Sequence, residues 1–489
     1  MTRVAQFVPT RIHLKAAVLA IALILYCAIP AAAQYDSGTA VGAAITGNSN
    51  AGQTSQLTGS VPSGPATNEV LHLTLRDAVT QALKYNLGSI ESGENTQQSR
   101  GQRLVALSRL LPQISAGVSE TAQQLSLATL GIKKELPDLP AVIGPFAYSL
   151  VQANVSATLF SYESVQHFHS AQTAEQAAKL SYQDILDVVT LIVGNAYLQV
   201  IADSSHVEEQ EAQVRIAKAL YEQAVDQLQA GTAPKIDVTR TEVQWHTEQY
   251  NLSVARNNFA IAKLVLGRAI GLPLGQQFEL ADKLPYSNIN PPSLDDALRM
   301  AYQSRSDFRA ALESQKSAAQ ALAAAKGERY PLVAMTGNYG DVGETFGHSH
   351  GAFFVQGGVS VPIFTGGHIK GDITQAEATL RQRKAESENL RGQVDYDVRS
   401  TFLNLNAARE QVDVATRNVA LANENLARSK DRFSSGVTDS VEVVQAEQSL
   451  ASANDQYITS LYSHNFAKLS LARALGVART NYQQYLGGK

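Results

Sequence analysis

Residues 347–351 read Gly-His-Ser-His-Gly, the G-x-S-x-G pattern of a serine nucleophile held on a sharp turn. That chemistry needs a strand before the serine, a helix after it, and an imidazole and a carboxylate to handle its proton. Here an alternating, strand-like segment follows the motif, and no Asp/His partners stand out. The expectation is a surface loop around Ser349 and no enzyme. His348 and His350, like His167 and His169, are spaced to offer two imidazoles to a metal. Neither pair has a third ligand in view. No metal site and no cofactor are assigned, and His348 and His350 stay the candidates.

A second set of reactive residues occurs twice. Residues 228–244 read LQAGTAPKIDVTRTEVQ, and residues 433–449 read FSSGVTDSVEVVQAEQS. At an offset of 205, Gly231 falls on Gly436, Asp237 on Glu442, Val238 on Val443 and Glu242 on Glu447. A glycine followed by an acid suits a turn leading into a helix. The glycine supplies backbone freedom, and the first helical turn favours a carboxylate. Gly231, Thr232, Gly436 and Val437 are therefore expected at two equivalent turns.

The elements that carry these turns are also duplicated. LGRAIG at 266–271 matches LARALG at 471–476 with the same offset of 205. Upstream, LRDAV at 75–79 matches LDDAL at 294–298, and Pro112 matches Pro331, at 219. A loop insertion in one copy accounts for the difference. The units are set at 71–290 and 291–480, with a C-terminal tail at 481–489. Thr74 with Asp77, and Ser293 with Asp296, cap an opening helix in each. Those helices are expected to run to about residues 110 and 328.

Two strands per unit follow. Val151, Ala153, Val155, Ala157 and Leu159 face one way, as do Phe353, Val355, Val359, Val361 and Ile363. Segments near 113–126 and 332–340 are their partners, each strand about ten residues long. Then come very long helices. Leu405, Val412, Val419, Leu426 and Phe433 repeat every seven residues, with Ala408, Ala415, Ala422 and Ser429 between them. Val200, Val207, Val214, Tyr221 and Leu228 form the same series in the first unit. About 65 helical residues reach on the order of 100 Å, and small residues let paired helices approach closely.

Arg3, Arg11 and Lys15 precede an apolar run at 16–29 and then Ala31-Ala32-Ala33, which reads as a signal peptide cleaved between Ala33 and Gln34. Residues 34–70 are rich in Gly, Ser, Thr and Asn and read as a flexible tail. With a net charge of −4 and no long basic run, nucleic acid is not an expected partner.

Four strands cannot close a membrane barrel, and open edges are not tolerated in a bilayer. Several chains must pool their strands. With its signal peptide, doubled helix–strand–strand–helix–helix unit, G-x5-[DE]-V motif and closing LG, the sequence resembles the TolC-like outer-membrane efflux family. The resemblance implies a mainly α fold with a small transmembrane β part. Tandem-duplicated long α-hairpins would form a helical barrel, and four strands per chain would enter a trimeric twelve-stranded β-barrel.

It further implies a homotrimer among outer-membrane lipid, spanning into the periplasm of a Gram-negative bacterium. Such a trimer is the passive exit duct of a tripartite efflux pump or type I secretion system. Its partners would be a periplasmic adaptor protein, docking at the tips with Gly231, Thr232, Gly436 and Val437, and an inner-membrane pump of RND, ABC or MFS type. By the same resemblance Asp237, Glu442 and Gln445 mark the periplasmic constriction, three Glu442 carboxylates favouring cations. The family's tyrosine and arginine partners of Asp237 are replaced by Phe433 and Thr438, leaving Lys235, Arg432 or Lys430 as substitutes. The alternative is an exported coiled-coil structural or stalk protein without a channel.

Overall fold

The computed structural model describes residues 58–126, 140–282, 287, 289, 291–345, 347–438 and 440–486. The expected signal peptide, its cleavage site at Ala33 and Gln34, and residues 34–57 of the expected tail lie outside the described residues. The first half runs β1 (Leu71–Leu73), α1 (Leu75–Tyr85), α2 (Leu87–Ser108), β2 (Gln113–Ser126), β3 (Val142–Phe160), α3 (Tyr162–Gln229) and α4 (Lys235–Ile270). The second runs β4 (Phe278–Leu280), α5 (Leu294–Ser304), α6 (Ser306–Gly327), β5 (Leu332–Thr345), β6 (His348–Ser360), α7 (His368–Ser434) and α8 (Ser440–Ala474). A last helix, α9 (Ala478–Leu486), follows.

Each opening helix, expected to be continuous, is broken. Asn86 and Arg305, which match at the 219 offset, both leave the helical region at ψ 134° and 119°. Asn86 ends α1 and caps α2 by accepting from the Gly88 N–H. The cause is tertiary. A Cβ on Gly271 would meet Tyr85 Cβ at 2.6 Å, and one on Gly476 would meet Arg305 N at 2.7 Å. Both glycines also have positive φ, 80° and 73°. The glycine closing each half therefore packs into the break opening that half, where no side chain would fit. At the second break, Arg305 is buried and grips Asp307 through Nε and Nη2, at 3.1 and 2.6 Å, and Asp397 of α7 at 2.7 Å.

Two further expectations are corrected around these breaks. Residues from Gly59 onward are tied down: Gly59 O accepts from Leu87, Val61 donates to Tyr85 O, and Ser63 donates to Gly271 O. They satisfy backbone groups that the helix ends leave open. The C-terminal stretch is the helix α9, with Tyr482 and Leu486 buried, rather than a tail through residue 486.

The four long strands make one antiparallel sheet in the order β2-β3-β5-β6, so β2 and β6 are edges. They run to 14, 19, 14 and 13 residues, longer than expected. Most of their residues are exposed on both faces, so alternation marks only part of each strand. His348 and His350 belong to β6, opposite Thr345 and Val342, and not to a loop.

The long helices lie in the order α4-α3-α8-α7. In α7 the heptad seam faces α8: Leu405, Ala408, Val412, Ala415, Leu426, Ser429 and Phe433 are buried. In α3 the phase differs. Gln213, Ala217, Leu220 and Ala224 are buried, Val207, Val214 and Tyr221 half-buried, and Leu228 exposed. An edge helix needs one stripe; α3 has neighbours on two sides, and Tyr221 is drawn onto Trp245 of α4 with ring centroids 5.5 Å apart. Among the described residues α3 alone is long and apolar enough to cross a membrane, yet 61% of its apolar window is buried in this packing.

Replacing Arg305 with Ala strands Asp307 and Asp397 without their buried partner. Arg305→Ala is expected to cost about 3–5 kcal/mol, read as a lowered thermal midpoint. Arg256→Ala, at the exposed pair with Glu211, should cost less than about 1 kcal/mol.

Candidate functional site

The two glycine turns have one geometry. Gly231 and Thr232 donate to Leu228 O and Gln227 O at 3.0 and 2.9 Å; Gly436 and Val437 donate to Phe433 O and Arg432 O at 3.0 Å each. Both glycines hold positive φ, 73° and 68°, which lets these bonds satisfy the last carbonyls of α3 and α7. Gly231, Thr232, Gly436 and Val437 are all exposed at the ends of the two hairpins.

Beyond the turns the two acids are held differently. Asp237, buried at the start of α4, accepts from the Ser440 hydroxyl of α8 at 2.7 Å and from Arg240 Nη1 at 2.9 Å. Arg240 also donates to Ser440 Oγ at 3.0 Å, closing a three-membered cluster that ties one hairpin tip to the other. Glu442 accepts from Thr438 Oγ1 at 2.6 Å and lies 3.3 Å from Arg432 Nε.

Arg432 and Thr438 thus serve Glu442, not Asp237. Lys235 is exposed and, among the described residues, makes no ion pair. Phe433 packs in an apolar cluster with Leu220, Leu426, Val443, Ala446 and Leu450. Gln445 is exposed. The reason is visible in the repeat: Gln445 occupies the place of Arg240, and Gln227 the place of Arg432. Each acid therefore draws its guanidinium from a different helix. Glu442, carrying its own arginine, is a neutralised pair within the subunit and not a bare acid.

Sequence reasoning missed Arg240 and Ser440. Arg240, one helical turn after Asp237, was readable as a partner. Ser440 comes from the other hairpin, and no local signal marks it.

One turn deeper, Glu447 is buried with Lys430 Nζ at 3.8 Å. Burial pushes its carboxyl up to about 7; Lys430 pulls it down, and Glu248 of α4 pushes it further up. Its repeat mate Glu242 is exposed.

The sheet at the other end of the long helices has two chemically different faces. Ile114, Val155, Gly337 and Val355 form one cross-strand row, and Ala116, Ala153, Tyr339 and Phe353 the next row on that face. The opposite face carries Gln113, Ser156, Thr336 and Gln356. Ile114, Tyr339, Phe353 and Val355 are exposed, so nothing among the described residues covers this apolar side.

A two-faced ribbon joined to doubled hairpins, with a polar cluster at the hairpin ends, defines a subunit of an outer-membrane channel-tunnel. The sequence model of the outer membrane efflux protein family matches residues 93–272 and 297–477. The chain belongs to that family.

Among its relatives, the toluene efflux pump outer membrane protein TtgF of Pseudomonas putida is 23% identical over 427 residues, covering 82% of this chain and 83% of that one. The outer membrane protein TolC of Vibrio cholerae is 23% identical, covering 66% and 75%. The solved outer membrane protein VceC of Vibrio cholerae superposes with a TM-score of 0.71 at 18% identity, over 82% of this chain and 96% of that one. The open-state MtrE channel of Neisseria gonorrhoeae gives 0.69 at 17%, over 86% and 96%. The protein is an efflux channel of the Gram-negative outer membrane, extending into the periplasm.

Glu447 is expected to make the tip's stability depend on pH. Its folded pKa of about 7 exceeds the ordinary 4.5, so the folded chain keeps a proton that the unfolded chain loses. Stability is therefore expected to fall as pH rises from about 4.5 to about 7 and to level off above that. Glu447→Gln should flatten this limb in thermal melts taken across the window. An unchanged slope would exclude Glu447 as its source.

Proposed function

We propose that three copies of this chain form a passive exit duct, opened at its helical tips by a periplasmic adaptor and an energised inner-membrane pump. The observation that carries the reading is the ribbon. Its edges, β2 and β6, are unpaired among the described residues, and one exposed face is apolar. A bilayer accepts the apolar face but not the open edges, which must meet other strands. Three ribbons supply twelve strands, a closed barrel with its apolar rows toward lipid and its polar rows toward the lumen.

The helices point the same way. α4 and α7 end the row, and both keep apolar residues at seven-residue spacing in solvent: Ile236, Val243 and Tyr250 on α4, with Tyr396 and Leu403, then Val414 and Leu421, on α7. Facing copies would bury these series against each other as coiled-coil seams. Helices of 68 and 67 residues give a tunnel about 100 Å long.

At the tips the exposed Thr232 and Val437 are the proposed docking points of the adaptor. The Asp237–Arg240–Ser440 cluster is the proposed latch, holding α4 against α8 until the adaptor pulls the hairpins apart. Relatives named for a toluene efflux pump and for pyoverdine export support small organic molecules as cargo.

The test is made on detergent-extracted outer membrane. The protein should run as a heat-labile trimer and conduct ions when reconstituted in a planar bilayer. Asp237→Ala is expected to raise single-channel conductance several-fold over the wild type. A soluble monomer, or no conductance at all, would contradict the duct; unchanged conductance in Asp237→Ala would remove the latch.

A further inference from the structure

The junction between the second ribbon and its long helix carries a cluster that the duct does not use. Glu328 follows the last turn of α6, four residues before β5. His368 opens α7 just after β6, and Asp372 lies one turn further on. His368 Nδ1 is 2.8 Å from Asp372 Oδ2 and 3.8 Å from Glu328 Oε2, and the three ligand atoms lie within 4.8 Å of one another.

We propose that Glu328, His368 and Asp372 form a binding site for a divalent first-row transition ion, with Zn2+ the best match. Metal–ligand bonds of about 2.1 Å in tetrahedral geometry set neighbouring ligand atoms about 3.4 Å apart. The observed 2.8 and 3.8 Å bracket that spacing, so small side-chain rotations admit the ion. One neutral imidazole and two carboxylates cancel the charge of a divalent ion, and this donor set suits zinc better than calcium or magnesium. The side chain of Glu328 is largely shielded, and that of His368 is open to solvent, which gives the ion an entry path and room for a water ligand. The bound ion would join the two ends of the β5–β6 hairpin and fix where the ribbon leaves the helices.

The repeat supplies an internal control. At the matching places the first half has Arg109, Glu163 and His167. Glu163 and His167 pair across one helical turn at 3.7 Å, as His368 and Asp372 do, but a cation stands where Glu328 does. With Arg109 at the repeat position of Glu328, the first half offers two ligands and no third, so one site per chain is expected.

Full-length protein in detergent, stripped with chelator, is titrated with zinc chloride by calorimetry. The expected result is one saturable Zn2+ per chain and a higher thermal midpoint with the ion bound. Glu328→Gln and His368→Ala should each weaken binding by more than about tenfold, while His167→Ala binds as the wild type does. Absence of a saturable site in the wild type overturns the proposal, whatever the variants do. So does unchanged affinity in folded Glu328→Gln or His368→Ala.

Discussion

Every backbone amide and carbonyl inside a bilayer must find a partner, because water is not there to provide one. That constraint governs this molecule. A four-stranded antiparallel ribbon satisfies its two inner strands and leaves β2 and β6 each with one open edge. The chain is thereby a fragment of a larger closed surface. The helices share the condition, since α4 and α7 keep apolar residues that nothing among the described residues covers. Incompleteness at both levels is what lets one polypeptide build a hollow object, because a subunit that buried all its own apolar faces would leave no lumen.

Duplication gives the subunit its near-symmetry, and divergence between the halves places its chemistry. The glycines that close each half sit in the breaks that open it, and the tip turns are superposable in their hydrogen bonding. The charged residues around the turns are not. Asp237 is bound by Arg240 and Ser440, Glu442 by Arg432 and Thr438. The first arrangement crosses from one hairpin to the other. The second stays within its own hairpin and leaves it free to move as a unit. Glu447, buried in only one half, adds a proton-sensitive element beside that junction.

Much of this was legible in the residues. The heptad series in α7, the capping acids, the tip glycines and the alternating strand segments are local patterns, and local patterns fix element type. What escaped depends on contacts distant in sequence. The break at Arg305 lies in helix-compatible sequence, that at Asn86 carries only a short cap signal, and both are where Gly476 and Gly271 pack. The buried stripe of α3 shifts because α8 lies against it as well as α4. The strands outrun their alternating cores because residues such as Gly340, Gly343 and His348 pair across strands, through a register shift after Gly343, without a buried side to advertise it. Ser440 was invisible as a partner of Asp237 because the two are 203 positions apart.

The free edges β2 and β6 are to be sealed by other copies of this chain. The sequence has a single cysteine, Cys27, within the expected signal segment, so new thiols can be placed cleanly. Ser115 of β2 and each residue from 350 to 358 of β6 would be converted to cysteine in pairs and oxidised in native membranes. Within one chain these edges are three strand spacings apart, about 14 Å, beyond the roughly 7 Å that a disulfide spans. At least one pair is expected to give covalent dimers and trimers and nothing larger. Monomers at every pair, or a ladder running past three, would contradict this sealing.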